Sequence, residues 1–146
     1  MNYEIVTLKS KTVVGVSAIT GSADPEMGEV ISGLWKKLYH DGVHAAIKNK
    51  SNEYAIGLYS DYTDDKYCVT AGNEVTAPEN DELAVKMIPA GKYAKFSVHG
   101  HMEKAVAEAW GEIWKIDLDR SFTGDFEEYL NSDWENADID IYIALK

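Results

Sequence analysis

The 146-residue sequence predicts an α+β fold. Two strand-helix-strand-strand units contribute to a mainly antiparallel sheet, and two helices cover one face of it. Three observations lead there. Two segments carry apolar residues at helical spacing, one from Met27 to Leu38 and one from Met102 to Trp114. Each is preceded by one β-like segment and followed by two. The two stripes also superpose at a constant offset of 75 residues, which sets Met27 on Met102, Ile31 on Val106, Trp35 on Trp110 and Tyr39 on Trp114. The same offset carries "NEY" (52 to 54) onto "EEY" (127 to 129), and this extension into a strand argues for duplication.

In chain order, "TVVGVSAI" (12 to 19) reads as the first strand. The first helix starts in "SADPEMGEV", with Asp24 as N-cap, Pro25 in the first turn and Glu26 near the positive helix end. It stops near "HDG", with Gly42 as terminator. "YAIGLYS" and "YCVTAGNEV" are strands joined by the polar turn "DYTDDK". "NEVTAPENDELAVKMIP", with Pro78, Asn80 and Asp81 at its centre, reads as a connector. The second unit runs through "KYAKFSVHG" (92 to 100), the helix "HMEKAVAEAWGEIWKI", "DFEEYL" and "DIDIYIALK", with "NSDWENA" as the last turn. The expectation is one domain over 1–146, with halves of about 1–77 and 84–146. Two helices cover only one sheet face, so the other face, carrying some of the nine tyrosines and four tryptophans, is the expected place for function.

Composition excludes several classes. The net charge of -11 repels phosphate backbones and anionic membranes, so no direct nucleic-acid or membrane partner is expected. A cation is the easier charged guest. No stretch approaches the roughly 18 consecutive apolar residues of a membrane span, and the N-terminus lacks a signal-type apolar region. A soluble, cytoplasmic protein is expected. With Cys68 alone there is no disulfide within the chain and no CxxC metal site. "PAGKY" lacks the upstream Gly and the Ser/Thr of a phosphate-binding loop, and "HGH" (99 to 101) reads as a strand-to-helix junction. No metal or other cofactor is expected.

The aromatic residues divide by position. Trp35 and Trp110 lie within helical stripes and read as core. Tyr39 and Trp114 lie at helix ends, where a ring can reach the rim of a groove. Trp134 sits between Asp133 and Glu135 in a polar loop and reads as a lid or contact. In "GDFEEYL", strand alternation puts Glu127 on one face with Tyr129 and Glu128 on the other with Phe126. Alternation by itself does not say which carboxylate is functional, a bulge would reverse the faces, and a solvated pair guarding an edge strand remains open.

The segments "YEIVTLKSKTVVGVSA", "MGEVISGLWKKLY", "IGLYSDY", "IPAGKYAKFSVHG", "AVAEAWGEIW" and "DFEEYL…DIDIYIALK" run in one order over nearly the whole chain. Together they resemble the GyrI-like small-molecule-binding domains, which are similar to the effector-binding domains of multidrug-responsive transcription regulators. The resemblance implies a ligand groove between the halves, with a carboxylate at its floor among aromatic rings. The family pattern of aromatic, Glu, any residue, Tyr falls on Phe126, Glu127, Glu128 and Tyr129, which favours Glu127. A carboxylate so buried needs donors, for which Tyr129, Tyr142, Tyr93 and Tyr54 are candidates. The implied function is binding of hydrophobic cations, by sequestration or effector sensing. Relatives also imply two alternatives: a hydrolase of strained electrophiles such as cyclopropane-bearing toxins, with Glu127 as base, and a protein partner of DNA gyrase. No DNA-binding module accompanies the domain, so a stand-alone member is expected, its groove closed by a second chain in a homodimer or by the Trp134 loop.

Overall fold

The computed structural model describes residues 2–21, 24–78, 83–131 and 133–146. The elements are β1 (Glu4–Leu8), β2 (Lys11–Thr20), α1 (Met27–Tyr39), α2 (Val43–Ala46), β3 (Lys50–Ser60), β4 (Tyr67–Val75), β5 (Ala84–Ile88), β6 (Gly91–Gly100), α3 (Met102–Ile113), β7 (Asp125–Tyr129) and β8 (Ala137–Ala144). All eight strands join one antiparallel sheet in the order β1-β6-β8-β7-β3-β4-β2-β5. That order reads the same from both ends once each strand of one unit is exchanged for its counterpart in the other. β3 and β7 therefore meet at the pseudo-two-fold axis.

The predicted strands and both long helices are present, and three elements were not anticipated. β1 is short and mostly exposed, so its alternation is muted. β5 lies inside the segment read as a connector, between Pro78 and Pro89, and Asn80 and Asp81 of that segment lie outside the described residues. α2 is a single turn after Gly42, whose left-handed backbone (φ 80) separates it from α1. β1 and β5 bind the units together, because β1 pairs with β6 of the second unit and β5 with β2 of the first. At the start of α1, Asp24 serves a turn rather than the helix. Its Oδ1 accepts the Glu26 amide at 2.9 Å, and the N-cap is Glu26.

The duplication holds, but not at one offset. A shift of 75 residues relates the helices, whereas a shift of 70 carries the β3–β4 pairs onto the β7–β8 pairs, as Gly57–Ala71 onto Glu127–Ile141. The segment between α3 and β7 is five residues shorter than its counterpart, which contains α2 and the start of β3. The structural counterpart of Tyr129 is thus Tyr59, not Tyr54.

Both sheet faces are filled. On the helix side, Leu34, Leu38, Ala109 and Ile113 pack on Ala71, Phe96, Ile139 and Ile141. On the far side, Val13, Ile56, Leu58, Tyr93, Phe126 and Tyr142 form a second apolar cluster. The far face is therefore not the leftover functional surface expected when two helices cover only one face. The sheet curls instead, and Gly15 opposite Gly72 shows how. A Cβ on either would lie 2.1 Å from a backbone oxygen of the neighbouring strand, so only glycine allows the backbones this close.

Candidate functional site

β7 lies in the middle of the sheet beside β3, and its parity turns Asp125, Glu127 and Tyr129 toward the helices. Phe126 joins the far-side cluster, and Glu128 shares its face half-buried. Glu127 is 2% exposed. Its Oε1 accepts the Tyr129 hydroxyl at 2.7 Å, while Oε2 accepts the Trp110 indole N–H at 2.6 Å and the Tyr59 hydroxyl at 3.1 Å. Burial pushes the carboxyl above its ordinary range, and the three donors pull it back by favouring the anion. The two tyrosine hydroxyls are held well above their usual range by burial first and the neighbouring carboxylate second. They remain donors at any physiological pH.

Room for this carboxylate comes from Gly57, which faces Glu127 across the β3–β7 ladder. A Cβ at Gly57 would lie 3.1 Å from Glu127 Oε1 and 3.1 Å from the Trp35 ring. Above this floor a cavity of about 1460 Å³ opens between α1 and α3. Ile31 and Trp35 of α1 line it, as do Val106 and Trp110 of α3. Tyr39, Trp114 and Trp134 line it from exposed positions. The Trp134 indole donates to His101 Nε2 at 3.1 Å, and its backbone carbonyl accepts the Met102 amide at 2.8 Å, which tacks the β7–β8 loop to the start of α3.

One wall rests on a second buried carboxylate. Asp125 is 0% exposed and accepts Arg120 Nη2 at 2.6 Å, the Tyr62 hydroxyl at 2.6 Å and the Ala144 amide at 2.8 Å. The Arg120 guanidinium stands 4.3 Å from the Phe122 ring centroid and 5.4 Å from that of Trp114. Phe122 holds a left-handed backbone (φ 54), unfavourable for a bulky side chain and tolerated where its surroundings hold it.

Of the residues singled out in the sequence, Glu127, Tyr129, Tyr39, Trp114 and Trp134 line this one cavity. Tyr93, Tyr142 and Tyr54 do not. Tyr93 and Tyr142 point to the far face against Phe126, and the Tyr93 hydroxyl, pushed up to about 12 by burial, donates to the Pro89 carbonyl. Tyr54 is exposed in the irregular stretch of β3 just before Ala55. Trp35 and Trp110, read as core, are cavity walls with their inner edges packed on the core. Tyr59 went unread because the 75-residue offset aligned the wrong tyrosine. The doublet of Tyr59 with Tyr129 at 70 residues was the available signal. Among the described residues no His, Cys, Asp and Glu cluster suited to a metal ion occurs, and no helix is long and apolar enough to cross a membrane.

Comparison with known proteins agrees with this architecture. The family model for Cass2, described as an integron-associated effector binding protein, matches residues 4–145. An integron cassette protein, VCH_CASS2, from the mobile metagenome of Vibrio cholerae is 29% identical, with a TM-score of 0.79 over 99% of this chain and 95% of that one. SAV2435, solved bound to tetraphenylphosphonium, shares the fold at 21% identity and a TM-score of 0.84 over 100% and 94% of the two chains. A putative transcription regulation protein from Staphylococcus aureus does so at 22% and 0.82, over 100% and 99%. No curated protein matches the chain. The resemblance to GyrI-like domains read from the sequence is borne out. The chain belongs to the Cass2 family of integron-associated effector-binding proteins.

Proposed function

We propose that the protein captures hydrophobic cations in the cavity between α1 and α3, with Glu127 as the counter-charge. The observation that carries this reading is a fully buried carboxylate held by three donors at the floor of a large aromatic cavity. Burying an anion without a cation costs several kcal/mol, and hydrogen bonds return only part of that. A guest cation offsets the remainder. At an effective dielectric near 20, charges about 4 Å apart attract by roughly 4 kcal/mol before desolvation, and each ring facing the cation adds about 0.5–2 kcal/mol. Both Glu127 oxygens are already engaged, so the guest needs no N–H of its own. Quaternary or delocalised cations suit the site better than protonated amines, which would leave donors unpaired.

The effector-binding family supports small-molecule binding, and SAV2435 supplies a probe. Titrating tryptophan fluorescence with tetraphenylphosphonium should give saturable quenching. In Glu127→Gln the affinity should fall at least about tenfold, the equivalent of 1.4 kcal/mol. Equal affinity in both proteins would remove Glu127 from recognition. A hydrolase would place a water on the second acceptor position of Oε1, which carries a single donor, and would need a strongly basic carboxylate, whereas each donor lowers that basicity. Three donors on the carboxylate suit holding charge rather than moving protons.

A further inference from the structure

We infer that the cavity selects cations whose charge lies at the centre of the molecule, flanked by two similar aromatic arms. The inference rests on the cation-capture reading above and specifies its ligand class. It follows from the pseudo-two-fold axis, which passes through the site itself. The Gly57–Glu127 pair is the middle of the five β3–β7 pairs and is carried onto itself by the 70-residue shift. The rings obey the same axis. Trp35 meets Tyr129 edge-on with centroids 5.0 Å apart and planes at 77°, and their counterparts Trp110 and Tyr59 meet at 5.5 Å and 71°. Ile31 of α1 and Val106 of α3, also counterparts, both line the cavity. Two aromatic half-sites therefore face each other across the axis.

The charge does not obey that symmetry. One half contributes Glu127 and the other contributes Gly57, where a Cβ would lie 3.1 Å from Glu127 Oε1 and 3.1 Å from the Trp35 ring. A single carboxylate thus stands on the axis, between equivalent walls. The other charged lining residues do not compete for a cation at depth. Lys36, Asp64, Asp65, Lys66 and Glu103 are exposed, and Arg120 is matched by Asp125. A centrally charged cation satisfies Glu127 while filling both half-sites. A cation charged at one end must either leave a half-site empty or carry its charge away from the axis, where the attraction to Glu127 weakens with distance.

Two isomeric probes isolate charge position. Dibenzyldimethylammonium and (biphenyl-4-ylmethyl)trimethylammonium share composition, net charge and two phenyl rings, but the first carries its nitrogen between the rings and the second at one end. Both are titrated against the wild-type protein by tryptophan fluorescence, with tetraphenylphosphonium as reference. The central isomer is expected to bind at least about tenfold more tightly than the terminal one. Ile31→Ala and Val106→Ala, one on each wall, are expected to weaken the central isomer by factors that agree within about threefold, as loss of similar apolar contact implies. Equal affinities, tighter binding of the terminal isomer, or no binding of the central isomer while tetraphenylphosphonium binds would each overturn the inference and leave cation capture standing. Failure of all three compounds to bind the folded protein would overturn both.

Discussion

Two opposing influences act on the buried Glu127 carboxyl. Its burial favours the neutral acid and its three donors favour the anion, with burial the larger influence. A bound cation adds to the anion's side, so cation binding and ionisation of Glu127 are linked. Affinity for tetraphenylphosphonium should rise as pH climbs from 4.5 through the raised value of Glu127, by up to about tenfold per unit, and then level off. In Glu127→Gln the same titration should be flat, and fluorescence titrations across pH 4.5–8 (a window of about three and a half units) test both. Gly57 makes the complementary prediction. Gly57→Ala places a methyl 3.1 Å from Glu127 Oε1 and from the Trp35 ring, so one of them must shift by a few tenths of an ångström, and the tetraphenylphosphonium titration should read a weaker affinity.

Between residue and fold, two connecting segments shape the cavity. The segment after α3 carries Arg120 and Phe122 and is anchored by the buried Arg120–Asp125 pair. Removing one member of such a pair leaves the other charged and without its counter-ion. Arg120→Ala should therefore destabilise the fold by about 3–5 kcal/mol, seen as a lowered urea midpoint. The β7–β8 loop is held more lightly, by the Trp134 contacts with His101 and Met102. Trp134 is 49% exposed, so Trp134→Ala should change stability by no more than about 0.5 kcal/mol. Its expected effect is on ligand residence. Stopped-flow dissociation of tetraphenylphosphonium should be faster, with the association rate little changed.

At the scale of the whole molecule, the axis between the units creates both the sheet's continuity and the cavity. β1 and β5 cross to the opposite units, so neither unit completes its sheet alone. Ligand binding at the shared axis should stabilise the chain as one cooperative body. At a free ligand concentration of about 100 times Kd the gain is about 2.7 kcal/mol, which for a chain of this size raises Tm by about 5–10 °C. Differential scanning calorimetry should show a single shifted transition, and a biphasic melt with only one phase moving would contradict a common site.

Periodicity and parity carried a large part of this structure. The helical stripes placed α1 and α3, and alternation put Glu127 beside Tyr129 and away from Glu128, because these patterns follow from local backbone geometry. The GyrI-like motifs supplied the family. Local pattern could not determine the register between distant segments. The 75-residue offset is real in the helices, yet a five-residue difference in connection length changes it to 70 in the strands, and so Tyr59, not Tyr54, joins Tyr129 at the carboxylate. Nor could it separate core tryptophans from cavity walls, since a helical stripe is apolar in both cases and only the spacing of α1 and α3 leaves Trp35 and Trp110 beside open space. The face that carries the cavity was likewise a tertiary outcome: close backbone approach at Gly15 and Gly72 accompanies the curl of the sheet, the far face fills with its own apolar cluster, and the cavity is left between the helices.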